Sequence, residues 1–542
     1  MLISGILFFY RLGALSLFDV DEPRYAETAR NMLDTNDWVT PKFNGNIRYD
    51  KPVLFYWLIA IAYKVFGVTE FAARFWSAVF AVSLTLFIFL MVRKYHGNRS
   101  AFFSSLIFAT SAQIIILSRA SITDMTFNFF ISSSLFSFYL IYTGSKEFKK
   151  YLYIPFYVSM GLGILTKGPA AIVIPFLAII FFSLINKNLR STLSELMLLR
   201  GLLIIAVIVL PWNLAMFTLH GGEFLRETII KHNLIRFVGV VSEHRGSFFY
   251  YIPVILIGFF PWSIFLPSAI SVIIEYAREP LLRKNELLSL RFFSLVWFLV
   301  VFFFFAISKT KLPTYVTPLY PPMAILVGTL FENILLEKKR LFKFLNLSVC
   351  SLITAFILMS ACVLLFPSFV NKFKSESTSS FFNSPIDLNY IPWVISAILI
   401  GGVIFFSVSW FTDRRNLSLC ILVATMFFFY LTCITMVAPE IEKYRQDSLR
   451  KLSELAGNRL KENDKLIAYR FNKPSIVFYS RHTVEKIDKE DTEKLYNYLN
   501  SEFSTYVITK KSFIDTFSGH TKFYIIKNDG EYVLISNRQK VK

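Results

Sequence analysis

The chain has 542 residues, 55% of them hydrophobic, only 17% charged and 60 of them phenylalanine. That apolar share is far above a soluble domain's and makes the chain a polytopic membrane protein. Its formal net charge of +20 sits in short basic runs between apolar stretches, where positive-inside retention accounts for it and nucleic-acid binding is set aside.

Taken in chain order, the first apolar run, residues 2–17, is interrupted by Arg11 and has no basic residue before it. It is short for a crossing helix, which needs about 20 largely uncharged residues, and the sequence is expected to lack a few residues at its start. Clear spans follow at 71–92, 101–117, 122–142, 151–165, 169–185 and 201–219. Six more lie at 248–274, 288–307, 313–331, 341–366, 390–411 and 417–437. With 2–17 the expectation is an α-helical bundle of about 13 transmembrane helices.

Charge orients these spans. Arg93, Lys94 and Arg99; Lys146, Lys149 and Lys150; Lys187, Arg190 and Arg200; Arg278, Arg283 and Lys284; Lys338, Lys339 and Arg340; and Arg414 and Arg415 fall at every second connection. Those connections are expected to be cytoplasmic. The N-terminus is then cytoplasmic, and the run 53–66 is a helix lying at the outer interface, because a crossing there would invert everything downstream. The phenylalanines read as lipid-facing filler. Cys350, Cys362, Cys420 and Cys433 lie in apolar runs without CxxC spacing, which argues against both a disulfide framework and a zinc site.

After residue 438 the composition changes. Residues 439–542 are charged and Asn-rich, with short alternating, strand-like runs at 466–471, 475–479, 505–509, 523–527 and 532–536 and a helical stretch at 491–500. This predicts a small extracytoplasmic α/β domain beside a membrane domain of residues 1–438, whose first outer loop, 18–70, carries interfacial helices.

The outer connections hold the polar residues that suggest chemistry. The first loop carries Asp19, Asp21, Glu22, Arg24 and Tyr25, then Arg48, Tyr49, Asp50 and Lys51. Later ones add Arg119 and Asp124, then Lys167, then Glu243, His244 and Arg245, and then Lys309, Lys311 and Tyr315. Ionic residues this close to hydrocarbon are functional candidates by default. Lys and Arg can clamp an anionic lipid headgroup, and a phosphate so held is a good leaving group. A carboxylate such as Asp21 can take the proton of an acceptor hydroxyl as that hydroxyl attacks the carbon bearing the phosphate. Side-chain cations suffice at the leaving group, so no cofactor is required. A divalent metal is an open alternative, with Asp50, Glu243 and His244 as candidate ligands.

Bland readings stand beside these. Asp21 can cap a helix over 23–33, Lys51 and Lys167 can snorkel, and His244 can be an interface residue. Asp124 and Arg119 are expected to pair with each other.

The motifs also carry a resemblance. Asp21-Glu22-Pro23-Arg24-Tyr25-Ala26-Glu27, Asp50-Lys51-Pro52 with Tyr56-Trp57, Glu70-Phe71-Ala72-Ala73-Arg74, Thr166-Lys167-Gly168-Pro169, His244-Arg245 before Phe248-Phe249-Tyr250-Tyr251, and Lys311-Leu312-Pro313-Thr314-Tyr315 resemble the bacterial aminoarabinose transferases and their wider relatives. These are polyprenyl-phosphate-dependent glycosyltransferases of the multispanning C-type fold, grouped with the protein mannosyltransferases. The resemblance implies an inverting transfer of a sugar from undecaprenyl phosphate to lipid A, another glycan or a protein, on the outer face of a bacterial inner membrane. It implies Asp21 as the catalytic base or its positioner and Lys51 as the phosphate-holding lysine. Arg24, Tyr25 and Tyr315 then line the cavity, and His244 and Arg245 belong to a polar motif. Arg48 and Asp50 depart from the Tyr and Glu that the aminoarabinose enzymes carry there. The competing reading is a transporter or flippase of a lipid-linked sugar, against which the one-sided clustering of charge argues. A receptor or scaffold built around the tail is a third.

Overall fold

The computed structural model describes residues 1–228, 246–336, 345–374, 388–516, 519 and 521–538. Among these, seven helices are long and apolar enough to cross a membrane, and a bent pair, Phe248–Gly258 with Trp262–Arg278, makes up to eight. The protein is thus a multi-pass α-helical membrane protein, although the count of about 13 is not reproduced among the described residues.

The differences have local causes. Residues 2–17 give only the helix Leu2–Phe9, because the chain turns at Arg11, whose φ is +55°. The expected spans 71–92 and 101–117 do separate at Gly97, where φ is +84°, a value open mainly to glycine: the run Glu70–Ala109 is two helices meeting there, and the second expected span ends early because 112–117 belongs to the separate short helix Ala112–Ser118. Thr69 starts the run Glu70–Ala109 by accepting a hydrogen bond from the Ala72 amide. The span expected at 248–274 is instead two helices at 112°. The span expected at 313–331 opens as the 3-10 turn Pro313–Leu319 before the helix Tyr320–Leu335, since four prolines at 313, 318, 321 and 322 remove backbone donors from its start. The 13-residue run Leu54–Phe66 is a helix too short to cross a bilayer.

One apolar core runs through the membrane helices. Many phenylalanines lie inside it, not on the lipid side: Phe136 and Phe293 pack on the fully buried Trp297, and Phe265 on Phe331. The helix Tyr320–Leu335 lies tightly on Glu70–Ala109, where a Cβ added at Gly328 would come within 2.6 Å of the Ser104 backbone nitrogen. Small residues of this kind let membrane helices approach closely.

A second core joins the first loop to the tail. Tyr25, Phe55, Tyr56, Ile59 and Tyr63 pack with Ala72, Trp212, Phe478 and Tyr479. The tail itself holds a five-stranded sheet in the order Val484–Ile487, Lys465–Tyr469, Thr505–Lys510, Tyr532–Ser536, Tyr524–Asp529, with the first three strands parallel and the last two joined antiparallel. Leu466 and Ala468 face the helix Asp447–Gly457, while Ile467 and Tyr469 face Thr492–Leu499. The alternation seen in the sequence therefore serves two buried faces. Residues 475–479, expected as a strand, form the helix Pro474–Ser480 instead. The strand Val484–Ile487 was not expected.

Candidate active site

A cavity of about 880 Å³ opens between the first loop, three membrane-helix ends and the tail. Asp21, Arg24 and Tyr25 line it from one face of the helix Asp21–Asp34, where the i, i+3, i+4 spacing places them together. The chain then makes a short hairpin, Lys42–Phe43 with Asn46–Ile47, and returns to present Arg48, Asp50 and Lys51. Asp124 enters from the first turn of Thr123–Thr143, Lys167 from the last residue of Lys146–Lys167, and Tyr315 from the Pro313–Leu319 turn. Nine residues singled out in the sequence thus meet in one cavity.

Their pairing separates two kinds of residue. Arg48 grips Asp50 with both prongs, Nε to Oδ1 at 2.9 Å and Nη2 to Oδ2 at 2.8 Å. Its guanidinium also lies over the rings of Tyr25 and Tyr56, at 5.2 and 5.7 Å. Burial opposes the Arg48 charge, but Tyr56 and Asp50 outweigh it and hold the pKa above its ordinary value. Burial, with Tyr56 and Asp50 adding to it, likewise pushes the Tyr25 hydroxyl far up, so both tyrosines beside Arg48 stay neutral. Lys167 donates to Asp124 Oδ1 at 2.6 Å and lies 5.3 Å over the Tyr315 ring. Asp124 therefore pairs with Lys167 and not with Arg119. Arg119 instead caps the first helix, donating to the carbonyls of Leu7, Phe8, Tyr10 and Arg11. Asp21 is exposed in the cavity, and its carboxylate has no hydrogen bond or ion pair among the described residues.

Two expected site residues lie elsewhere. Glu22 is buried against Arg74, accepting from Nε at 2.9 Å and Nη2 at 2.8 Å, and also accepts from the amides of Ser121 and Phe18. Lys311 is 3% exposed and donates to the carbonyls of Phe305 and Ala306, capping the helix Leu290–Ile307. Both hold the scaffold: a buried charge must find partners, which are the Arg74 side chain and two backbone amides for Glu22 and backbone carbonyls for Lys311. Glu243, His244 and Arg245 lie outside the described residues. No group of three or more His, Cys, Asp or Glu suited to a metal occurs among the described residues, and Asp50 is committed to Arg48.

The tail supplies residues that sequence reading missed: Phe471, Asn472 and Lys473 before the helix Pro474–Ser480, and Lys486 on the strand Val484–Ile487. Asn44 and Asn46 of the hairpin were also missed. The one signal in the sequence was Asn472-Lys473-Pro474, a polar pair before a helix-starting proline.

Comparison with known proteins gives the same frame. Residues 50–214 match the family described as dolichyl-phosphate-mannose-protein mannosyltransferase. A protein of Aquifex aeolicus, described as uncharacterized, is 33% identical over 67% of this chain and 68% of its own length. The undecaprenyl phosphate-alpha-4-amino-4-deoxy-L-arabinose arabinosyl transferase of Wigglesworthia glossinidia brevipalpis is 34% identical over 66% of this chain, and the chain spans 63% of that relative's length. The crystal structure of ArnT from Cupriavidus metallidurans bound to undecaprenyl phosphate superposes with a TM-score of 0.81 at 21% identity, covering 99% of this chain and 97% of that one. At that identity the likeness is one of fold, and it extends over nearly the whole of both chains. With its motifs in matching order on that scaffold, the chain belongs to the aminoarabinose-transferase-like family, the C-type-fold glycosyltransferases grouped with the protein mannosyltransferases.

Proposed function

We propose that the chain is an inverting glycosyltransferase taking a sugar from a polyprenyl phosphate, with undecaprenyl phosphate as the carrier, and placing it on an acceptor hydroxyl or phosphate. It works at the outer face of a bacterial inner membrane, with the N-terminus inside and the tail outside. The acceptor is a lipid, a glycan or a protein. The observation that carries this reading is Asp21, a carboxylate exposed and unpaired among the described residues, in a cavity whose walls also carry Arg24, Lys51 and Lys473.

In the proposed reaction the acceptor oxygen attacks the anomeric carbon as Asp21 takes its proton. The bond from that carbon to the phosphate oxygen breaks, and its electron pair leaves with the lipid phosphate, held by Lys51 and Arg24. Attack from the face opposite the phosphate inverts the centre. No covalent intermediate forms, and the side-chain cations suffice at the leaving group. The Arg48–Asp50 and Lys167–Asp124 pairs keep the remaining charges fixed in place.

The test is transfer of radiolabelled sugar from membrane polyprenyl-phosphate donors, comparing wild type with folded Asp21→Asn and Lys51→Ala. The expected result is a fall of about 10²–10⁴ in kcat for Asp21→Asn with undecaprenyl-phosphate binding retained, and weaker donor binding for Lys51→Ala. Wild-type rates in both variants would remove the site. Lipid movement across vesicles without any transfer would establish the transporter in its place.

A further inference from the structure

Asp19 lies two residues before Asp21, yet its carboxylate turns away from the reaction and toward the tail. Oδ1 accepts from the Ser475 amide at 2.9 Å, and Oδ2 accepts from the Ser475 hydroxyl at 2.6 Å. Oδ2 also accepts from Gln446 Nε2 at 3.0 Å. Ser475 and Gln446 are both buried, at 0% and 3% exposure.

Each partner stands at a junction. Ser475 is the second residue of the helix Pro474–Ser480, directly after Asn472 and Lys473, which line the cavity. Gln446 lies between the helical run Arg415–Arg445 and the tail's first helix, Asp447–Gly457. One carboxylate therefore joins the loop bearing Asp21, the tail segment bearing Lys473, and the point where the membrane domain becomes the tail. The neighbouring contacts leave the loop little freedom. The Tyr479 hydroxyl accepts from the Leu17 amide at 2.8 Å and donates to Glu70, and Arg30 donates to the Phe478 carbonyl at 2.8 Å. On the far side of the cavity Asn44 bonds both the amide and the carbonyl of Val484, at 2.8 Å each, as a paired strand would.

We propose that Asp19 is a positioning residue for the transfer step: it sets the spacing of the cavity walls that carry Asp21 and Lys473, and so the rate of transfer, without touching the donor phosphate. This rests on the transferase reading. A misplacement of about 1 Å at a reacting group can cost about 10²-fold in rate, and charge-assisted hydrogen bonds are strong enough to hold such a spacing.

Gln446→Glu sets a second carboxylate against Asp19 and opens the contact by repulsion. Asp19→Asn together with Gln446→Glu restores it with donor and acceptor exchanged, the amide now at position 19 donating to the carboxylate now at position 446. The full chain, purified in detergent, would be assayed for kcat, for donor KM, for binding of undecaprenyl phosphate alone, and for hydrogen exchange of the peptides covering 474–480 and 17–22. In Gln446→Glu kcat should fall about tenfold or more. Phosphate binding should stay within about twofold of wild type, and exchange should quicken only in those two peptides. The double variant should recover kcat.

Wild-type kcat in Gln446→Glu despite faster exchange would overturn the proposal, as would a loss confined to phosphate binding or a double variant that fails to recover. If wild type transfers no sugar to any acceptor, the transferase reading falls. Exchange that quickens in both peptides of Gln446→Glu would then leave the Asp19 tie standing as structure alone, and the positioning role would fall with the reading.

Discussion

Arg74 shows how this chain handles a charge that cannot reach water. It is 3% exposed, and besides its two bonds to Glu22 it donates to the carbonyls of Leu12, Leu15 and Ser16. Five hydrogen bonds fix the loop that leads into Asp21, so the pair works as a hub for the loop and not as a reagent. Removing one partner leaves the other charge buried, which costs about 3–5 kcal/mol. Arg74→Ala should therefore lower the thermal unfolding temperature sharply in detergent, whereas Arg74→Ala with Glu22→Gln should recover part of the loss. Lys311 obeys the same logic on a smaller scale. Lys311→Met should cost about 1–2 kcal/mol through the lost cap on Leu290–Ile307 and leave donor KM unchanged. A change in donor KM without a change in stability would restore Lys311 to the site. The motif residues were legible one by one, because Asp21, Arg24, Tyr25, Lys51 and Tyr315 carry a recognisable order. Their partners were not. Arg119 and Asp124 are near neighbours in sequence and look like a pair, yet Asp124 is met by Lys167 from another helix, a contact that no local spacing encodes.

Elements were legible where length and apolar content agreed, and failed where two physical signals competed. Residues 475–479 are a short apolar run that suits a strand and a buried helix equally, and length could not arbitrate. Pro474 at the first helical turn decided it, together with the Asp19 carboxylate waiting for the Ser475 amide. The 112° bend within 248–278 was hidden for a related reason: composition reports apolarity, not direction. Close packing between helices was also invisible, since it depends on what lies opposite a glycine. Gly328 faces Ser104, whose backbone would meet an added Cβ at 2.6–2.7 Å, while Gly5 faces open space. Gly328→Ala should cost about 1–3 kcal/mol by overpacking, and Gly5→Ala should be neutral or mildly stabilising. Parallel melts of the two variants in one detergent check this, and equal melting temperatures would contradict the tight helix contact.

On the scale of the whole molecule, the tail is a wall of the cavity and not an appendage, and its docking on the first loop should depend on pH. Glu27 and Arg30 form a buried ion pair on the helix Asp21–Asp34, beside Val477 and Phe478 of the tail. Burial raises the Glu27 carboxyl from 4.5 to about 7, and Arg30 offsets this only in part. The proton is thus held in the folded protein over a window in which the unfolded chain has already lost it. The folded state binds more protons than the unfolded one between pH 4.5 and about 7, so stability falls as pH rises through that range. The contribution is fully present below pH 4.5 and gone above about 7. Glu27→Gln, which keeps the shape and cannot ionise, should flatten this limb of the stability curve. Its effect should be greatest at about pH 7–8, where the wild type carries the buried charge. Hydrogen exchange of 474–480 should follow the same trend, slow in mild acid and faster at about pH 7 in wild type after correction for the intrinsic rate, and level in Glu27→Gln. A wild-type stability that instead rises from pH 4.5 to about 7 and is lost in Glu27→Gln would mean that Arg30 holds Glu27 ionised and that the junction is an ion pair throughout.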